Sequence, residues 1–179
     1  MAHTPPTLRA QMVATGLATV LLGLVSGFFY AYACSVMVGL THADDVTFIA
    51  AMQAVNAHVR NLGFAPSFFG ALAITALAAA LGWRRWRGRA TALLAAAFLI
   101  YAVGGFLLTL VVNVPLNDQL ATAGDPHLLA DPAAVRAAYE GPWTTWNLVR
   151  TIASTVALAL SCAALHHLGR QKAAKDNKP

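Results

Sequence analysis

The sequence predicts an all-α membrane protein: a four-transmembrane-helix bundle with two short helices in the non-cytoplasmic loops. Three observations predict it. Charged residues make up only 11% of the 179-residue chain against 58% apolar, where soluble domains carry roughly a quarter charged residues. The apolar residues fall in four blocks, each long enough to cross a ~30 Å hydrocarbon layer at about 1.5 Å per residue. Basic residues gather in alternate connections, the asymmetry that fixes orientation in a membrane. Runs of this length close their backbone hydrogen bonds in lipid only as helices.

The first block, Gln11 to Leu40, holds no charged residue. Upright it would reach about 45 Å, so it tilts or projects. Arg9 ahead of it and Ala31-Tyr32-Ala33 before Cys34 imitate a cleavable signal. The apolar run continues past that point with no polar approach, so the segment reads as a retained anchor. Gly23, Gly27 and Ala31 form a row of small residues, expected to let a neighbouring helix of the bundle approach rather than a second copy. Thr41-His42-Ala43-Asp44 resembles an N-terminal cap, and the short helix it opens is expected to run to about Arg60 and end before Gly63. Phe64 to Trp83 and Ala90 to Val112 are the second and third spans. In Asn113-Val114-Pro115-Leu116-Asn117 the proline is expected to break the third helix and leave carbonyls for the asparagines. Asp131-Pro132 opens a second short helix over 132 to 140, Gly141-Pro142 is expected to close it, and the fourth span follows from about Trp146 to Leu168. Without repeats or a long linker, residues 1–179 read as one domain.

The link between spans two and three holds Arg84, Arg85, Arg87 and Arg89 and no acid, and the tail holds Arg170, Lys172, Lys175 and Lys178 against Asp176. The other two connections are poor in base. Both termini are therefore expected in the cytoplasm, with the chain multi-pass in the cell (inner) membrane. Trp83 and Trp86 would flank the inner boundary, Trp143 and Trp146 the outer. The net charge of +5 is a topology signal and an attraction to anionic lipid, and no nucleic-acid partner is expected. Cys34 and Cys162 lie too far apart in depth for a disulfide, and no C-x-x-C points to thiol exchange.

The informative residues are polar ones inside apolar segments. Arg150 stands four residues into span four, where a guanidinium costs about 2.5 kcal/mol or more unless partnered. Trp143, Asn147 and Arg150 share one helical face, expected to look into the bundle. Gln53, Asn56 and Arg60 form a stripe on the first short helix, with His58 and Asn61 beside it. These groups and the two asparagines of the third span, Asn113 and Asn117, converge on one side if the helices alternate in direction. They form either a site or a set of polar groups satisfying one another. His42, Asp44, Asp45, His58 and His127 match no metal-ligand spacing. His166-His167 suit the inner interface, and with no histidine in spans two and three there is no bis-histidine haem.

Met52-Gln53-Ala54-Val55-Asn56, Asn113-Val114-Pro115-Leu116-Asn117 and Trp143-Thr144-Thr145-Trp146-Asn147-Leu148-Val149-Arg150 resemble the signatures of the anthrone oxygenase-like integral membrane proteins. Gly27-Phe28-Phe29-Tyr30-Ala31-Tyr32 is similar to their first span. The resemblance covers nearly the whole chain. It implies a four-span fold and, for the characterised polyketide-pathway members, oxidation of an anthrone to an anthraquinone by molecular oxygen with no known cofactor; many bacterial members have no assigned activity. The residues suit such chemistry, which needs a base, donors for a developing oxyanion and an apolar slot. His58 is the candidate base, outside the family signatures. Arg150, Asn113 and Asn117 are the candidate oxyanion donors. Tyr30, Tyr32, Trp143 and Trp146 are candidate walls for a flat aromatic substrate, with Gln53, Asn56 and Asn147 as further contacts. No cofactor is predicted, though a metal or a quinone is left open, as is a homo-oligomer. A non-enzymatic carrier of a small hydrophobic ligand, or a structural subunit of a membrane complex, would use the same features.

Overall fold

The computed structural model describes residues 6–83 and 88–176; it is helical throughout, with no strand among the described residues. Four helices are long and apolar enough to cross a membrane: Thr7–Leu40, Ala65–Trp83, Arg89–Thr122 and Pro132–Asp176. The first comprises α1 (Pro6–Ala31), a π-helical turn (Tyr32–Val36) and α2 (Met37–Leu40). The first connection carries α3 (Asp45–His58), and α4 (Ala65–Trp83) is the second long helix. The third joins α5 (Arg89–Ile100) to α6 (Val114–Thr122) through two π-helical stretches, Tyr101–Leu107 and Thr109–Asn113. The fourth is a single helix, α7 (Pro132–Asp176). Each of α1 and α5 packs against both α4 and α7, so the four long helices surround a common core.

The packing is inverted relative to a water-soluble protein. Val13, Leu17, Val20 and Leu24 recur at helical spacing on α1 and are 53–64% exposed, as are Leu99 and Val103 on the third helix at 59% and 61%. Many buried positions are instead small or hydroxylic, among them Ala14, Ala18, Ala71, Ala78, Ala97, Ala157, Thr75, Ser154 and Ser161, packed beside larger groups such as Leu22, Phe29 and Tyr101. Large apolar groups facing outward and small ones between helices are what lipid favours, because lipid gives no hydrophobic drive for the reverse.

Four local expectations need correction. Proline at 115 does not end the third helix. The π stretch Thr109–Asn113 widens the turn just before it and Pro115 falls in the first turn of α6, where a missing N–H is tolerated. Gly141-Pro142 does not end the second loop helix either, because α7 runs through Pro142. Contacts bracketing the proline hold it there: Arg136 Nε donates to Glu140 at 2.7 Å, and Tyr139 and Trp143 both donate to Asn117. Several such bonds outweigh an interior proline's cost of about 3 kcal/mol.

The first short helix is capped by Asp44, not Thr41. Its carboxylate accepts from the Thr47 hydroxyl at 2.6 Å and the Thr47 amide at 3.0 Å, which hold it below the usual carboxylate range. The Thr41 hydroxyl turns back to donate to Val38 O, and the helix ends at His58 rather than Arg60. Finally, the Gly23-Gly27-Ala31 row makes no close helix contact. A Cβ on Gly23 would only touch Leu158 at 3.9 Å and one on Gly27 would meet nothing, because Gly27 and Ala31 face outward.

Close approaches lie elsewhere, at Gly82 against Gln11 and Thr91 and between the third and fourth helices. A Cβ on Gly104 would stand 2.5 Å from that of Ala153, and one on Gly105 would stand 2.6 Å from the Tyr101 ring. Arg84, Arg85, Trp86, Arg87 and Lys178 lie outside the described residues. Gly104→Leu is expected to lower stability by about 1–3 kcal/mol through overpacking, whereas Gly27→Leu leaves it unchanged or slightly raised; thermal unfolding of the purified proteins in detergent distinguishes the two.

Candidate functional site

The site is built on α7, where Tyr139, Trp143, Asn147 and Arg150 recur at helical spacing and are all buried. Arg150 is 5% exposed. Its Nη2 donates to Asn147 Oδ1 at 2.9 Å and its Nη1 to Thr109 Oγ1 at 3.3 Å. The guanidinium lies over Phe29 at 4.5 Å and Trp143 at 5.3 Å from the ring centroids. Cation–π contacts of this kind give about 0.5–2 kcal/mol each, and a hydrogen bond to a charged group about 1.5–3. Together they match the cost of an arginine within an apolar layer, about 2.5–3.5 kcal/mol on insertion scales. Among the described residues no carboxylate is within ion-pair distance of Arg150.

Asn147 is wholly buried and its amide has one possible orientation. The guanidinium only donates, so it takes Oδ1; the carbonyl of Phe29 only accepts, so it takes Nδ2, at 3.1 Å. Asn147 thereby ties Arg150 to the first helix, three residues before the π turn at Tyr32. Thr109 opens a π stretch of the third helix, and its hydroxyl donates to Gly105 O at 2.7 Å while accepting from Arg150. Two π-helical segments thus sit beside the guanidinium, in keeping with their frequent placement at functional sites.

Asn117 is the second hub. Its Oδ1 accepts from Trp143 Nε1 and from Tyr139 Oη, both at 2.9 Å, and Tyr139 Oη accepts from Asn56 Nδ2 at 3.0 Å. An indole N–H is only a donor, so the orientation of the Asn117 amide is fixed and its Nδ2 has no hydrogen-bond partner among the described residues. Asn113, four residues earlier, is 1% exposed and neither end of its amide is hydrogen-bonded; the Nε of Arg150 and the hydroxyl of Ser154 are likewise unpartnered.

Beside these hubs lies a cavity of about 390 Å³ lined by Tyr32, Asn56, Arg60, Thr109, Asn117, Trp143 and Arg150 within walls that include Phe28, Phe29, Phe64, Phe68 and Phe69. The rings of Phe64, Phe68 and Phe106 stack in sequence at 5.0–5.2 Å. Its volume falls toward the lower end of small-molecule sites, roughly 300–1,000 Å³.

The structure brings Arg150, Asn117, Asn56, Tyr32 and Trp143 together at this cavity. Asn113 and Asn147 are buried and do not line it. Gln53 lies elsewhere: its Nε2 donates to Leu120 O and Gly124 O, tying α3 to the end of α6 at a glycine with φ of 86°. Tyr30 is 58% exposed and Trp146 39%, and neither lines the cavity. His58 is exposed and lines a neighbouring groove of about 480 Å³ that shares Phe28, Tyr32, Val55, Val59 and Phe64 with the cavity. Its Nδ1 is 2.8 Å from Ala54 O; a carbonyl only accepts, so Nδ1 carries the hydrogen and the neutral ring's lone pair is on Nε2. Asn61 caps α4, its Oδ1 accepting from the amides of Gly63 and Phe64. Among the described residues no three His, Cys, Asp or Glu gather as metal ligands.

The anthrone oxygenase family model matches residues 60–160, more than half of the chain, including both asparagines of the third helix and the whole of Trp143 to Arg150. The chain belongs to the anthrone oxygenase family. No curated protein and no solved structure matches it. Within this family member the sequence motifs have structural roles: the second asparagine of N-x-P-x-N bonds Tyr139 and Trp143 on α7, and the arginine of W-x-x-W-N-x-x-R is held by the asparagine before it.

Tyr139 and Thr109 are residues that the sequence did not point to; Tyr139 had a signal. It continues the Trp143-Asn147-Arg150 stripe by one turn, a signal hidden by the expected stop at Gly141-Pro142. Asn117→Leu would leave two buried donors, Tyr139 Oη and Trp143 Nε1, without an acceptor; a loss of about 2 kcal/mol or more is expected, read as a lowered unfolding midpoint, with Asn117→Asp losing less.

Proposed function

We propose that this chain is a membrane-embedded oxygenase that oxidises a small, flat, anthrone-like substrate with molecular oxygen in the Arg150 cavity. The carrying observation is a buried guanidinium with no carboxylate partner, next to an aromatic-walled hollow of ligand size. Family membership supports the reaction type. Both termini are assigned to the cytoplasm and the cavity to the outer half of the cell membrane, supported by the alternation of basic and base-poor connections.

In this reading the substrate lies between the Phe29, Phe68 and Trp143 rings with its carbonyl oxygen toward Arg150 and Asn117 Nδ2. Loss of a proton from the ring methylene opposite that carbonyl, conjugated with it through the flanking aromatic rings, leaves an enolate whose charge these donors stabilise. The electron-rich carbon reduces oxygen and bonds to it; loss of the second hydrogen with cleavage of the O–O bond gives the new carbonyl and water. One oxygen atom ends in the product and one in water, so no external reductant is consumed. His58 Nε2, in the adjoining groove, is the nearest candidate to receive the first proton. Asn147 acts as a positioning residue for Arg150.

One observation favours a second reading, a carrier for the same class of ligand. No Asp, Glu, His or Cys is among the cavity-lining residues, so the hollow itself holds no strong base. Purified protein supplied with an anthrone separates the readings. Oxygenase activity predicts one oxygen consumed per anthraquinone formed, and a fall of about 10²-fold or more in kcat for a folded Arg150→Ala variant, the size typical of losing an oxyanion donor. Saturable binding without product identifies the carrier, and normal turnover by folded Arg150→Ala removes this site.

A further inference from the structure

The charge of the cavity is one-sided. Its wall holds two arginines and no acid, histidine, cysteine or lysine. Arg60 sits at the wet end, about two-thirds exposed and 4.0 Å from the equally exposed Asp118, so water and a carboxylate already answer its charge. Arg150 has neither. The seven acidic residues of the chain are Asp44, at the cap of α3; Asp45 and Glu140, on Arg136; Asp118, beside Arg60; Asp125, which accepts from the His127 amide; Asp131, which accepts from the Ala134 amide in the first turn of α7; and Asp176, at the far end of α7. Every group on the Arg150 guanidinium is neutral: an amide, a hydroxyl and two aromatic faces. Its Nε has no acceptor although the residue is only 5% exposed. A guanidinium keeps its proton at any physiological pH, and away from water its field reaches several-fold further than it would in bulk solvent.

We propose that the cavity selects its ligand by charge: it takes a flat aromatic phenol or enol in the ionised form, oxyanion against Arg150, whether or not the ligand has an oxidisable C–H. This rests on the reading of the cavity as a ligand site, and extends it from a reaction to a class of ligand, weakly acidic polycyclic phenols and enols. The O–H bond of the ligand breaks, its electron pair stays on the oxygen, and the proton leaves to water at the mouth. Neutral flat hydrocarbons of the same shape, which gain nothing from the guanidinium, bind more weakly.

The test uses the full chain in lipid nanodiscs and a hydroxyanthraquinone dye, whose phenol ionises with a visible colour change and which has no anthrone C–H to react. Protein-free nanodiscs give the baseline. For the wild type, the phenolate band of bound dye is expected at least one pH unit below its position in empty nanodiscs, with affinity rising about tenfold per pH unit below the free dye's pKa, as one linked proton requires. Arg150→Gln abolishes that shift. Asn147→Asp also abolishes it: the side chain is wholly buried and touches no ligand, but the variant places a carboxylate on the guanidinium. Arg150→Lys, which keeps the charge, retains a shift, so loss through misfolding is distinguishable. Saturable binding with no shift, or a shift that survives in folded Asn147→Asp, overturns selection by charge and leaves the cavity as a ligand site. Absence of any saturable binding overturns both.

Discussion

A guanidinium carried into an apolar layer without a counter-charge constrains everything around it. Arg150 stays there because Asn147 holds it to the backbone of the first helix, Thr109 to the third, and two aromatic faces cover it. Those partners come from three of the four long helices, so the charge fixes their mutual placement at this level. Each partner is neutral, which leaves the charge uncompensated at the wall of the cavity. Packing and chemistry are here the same set of contacts.

The amide network next to it works differently. Asn117 accepts from Tyr139 and Trp143 on α7, and Tyr139 in turn accepts from Asn56 on α3, so Tyr139 ties the layer formed by the short helix to the membrane-crossing part, alongside Gln53 and Arg136. Met37, Phe48, Ile49, Met52 and Leu120 pack in the same layer, and Arg136 closes its edge by donating to the carbonyls of Leu40 and Ala43 and to Asp45 and Glu140. The polar hub is roofed by an apolar layer and clamped at the rim.

Most of the fold was legible because lipid imposes a simple rule, long uncharged runs, that a sequence displays directly. The inward face of Trp143-Asn147-Arg150 was legible for the same reason: polar groups in an apolar run must find one another. What could not be read were the places where tertiary contacts override local backbone preference. Pro115 and Pro142 are helix-breaking in isolation, and both sit within continuous helices because a widened turn or flanking side-chain bonds accommodate them. The π turns have no sequence pattern to announce them. Gln53 shares the stripe of Asn56, yet at about 100° per residue the three positions between them leave it about 60° away, enough to turn it to the end of α6. His58, about 200° from Asn56, lines the exposed groove. Tyr30 shows the same limit, one residue from the buried Phe29 and facing outward.

The unbroken fourth helix has a consequence for where water begins. Its 45 residues extend about 68 Å at 1.5 Å each, more than twice the ~30 Å thickness of a hydrocarbon core. Arg136 and Arg150 are carried on this one rod about 21 Å apart, the first among carboxylates and the second among rings. Because the rod does not hinge at Pro142, the depth of the hollow is set by how far the rod is submerged. A thinner bilayer would bring the aqueous boundary toward Arg150 and a thicker one would draw it away, so the polarity around the guanidinium becomes a function of lipid chain length.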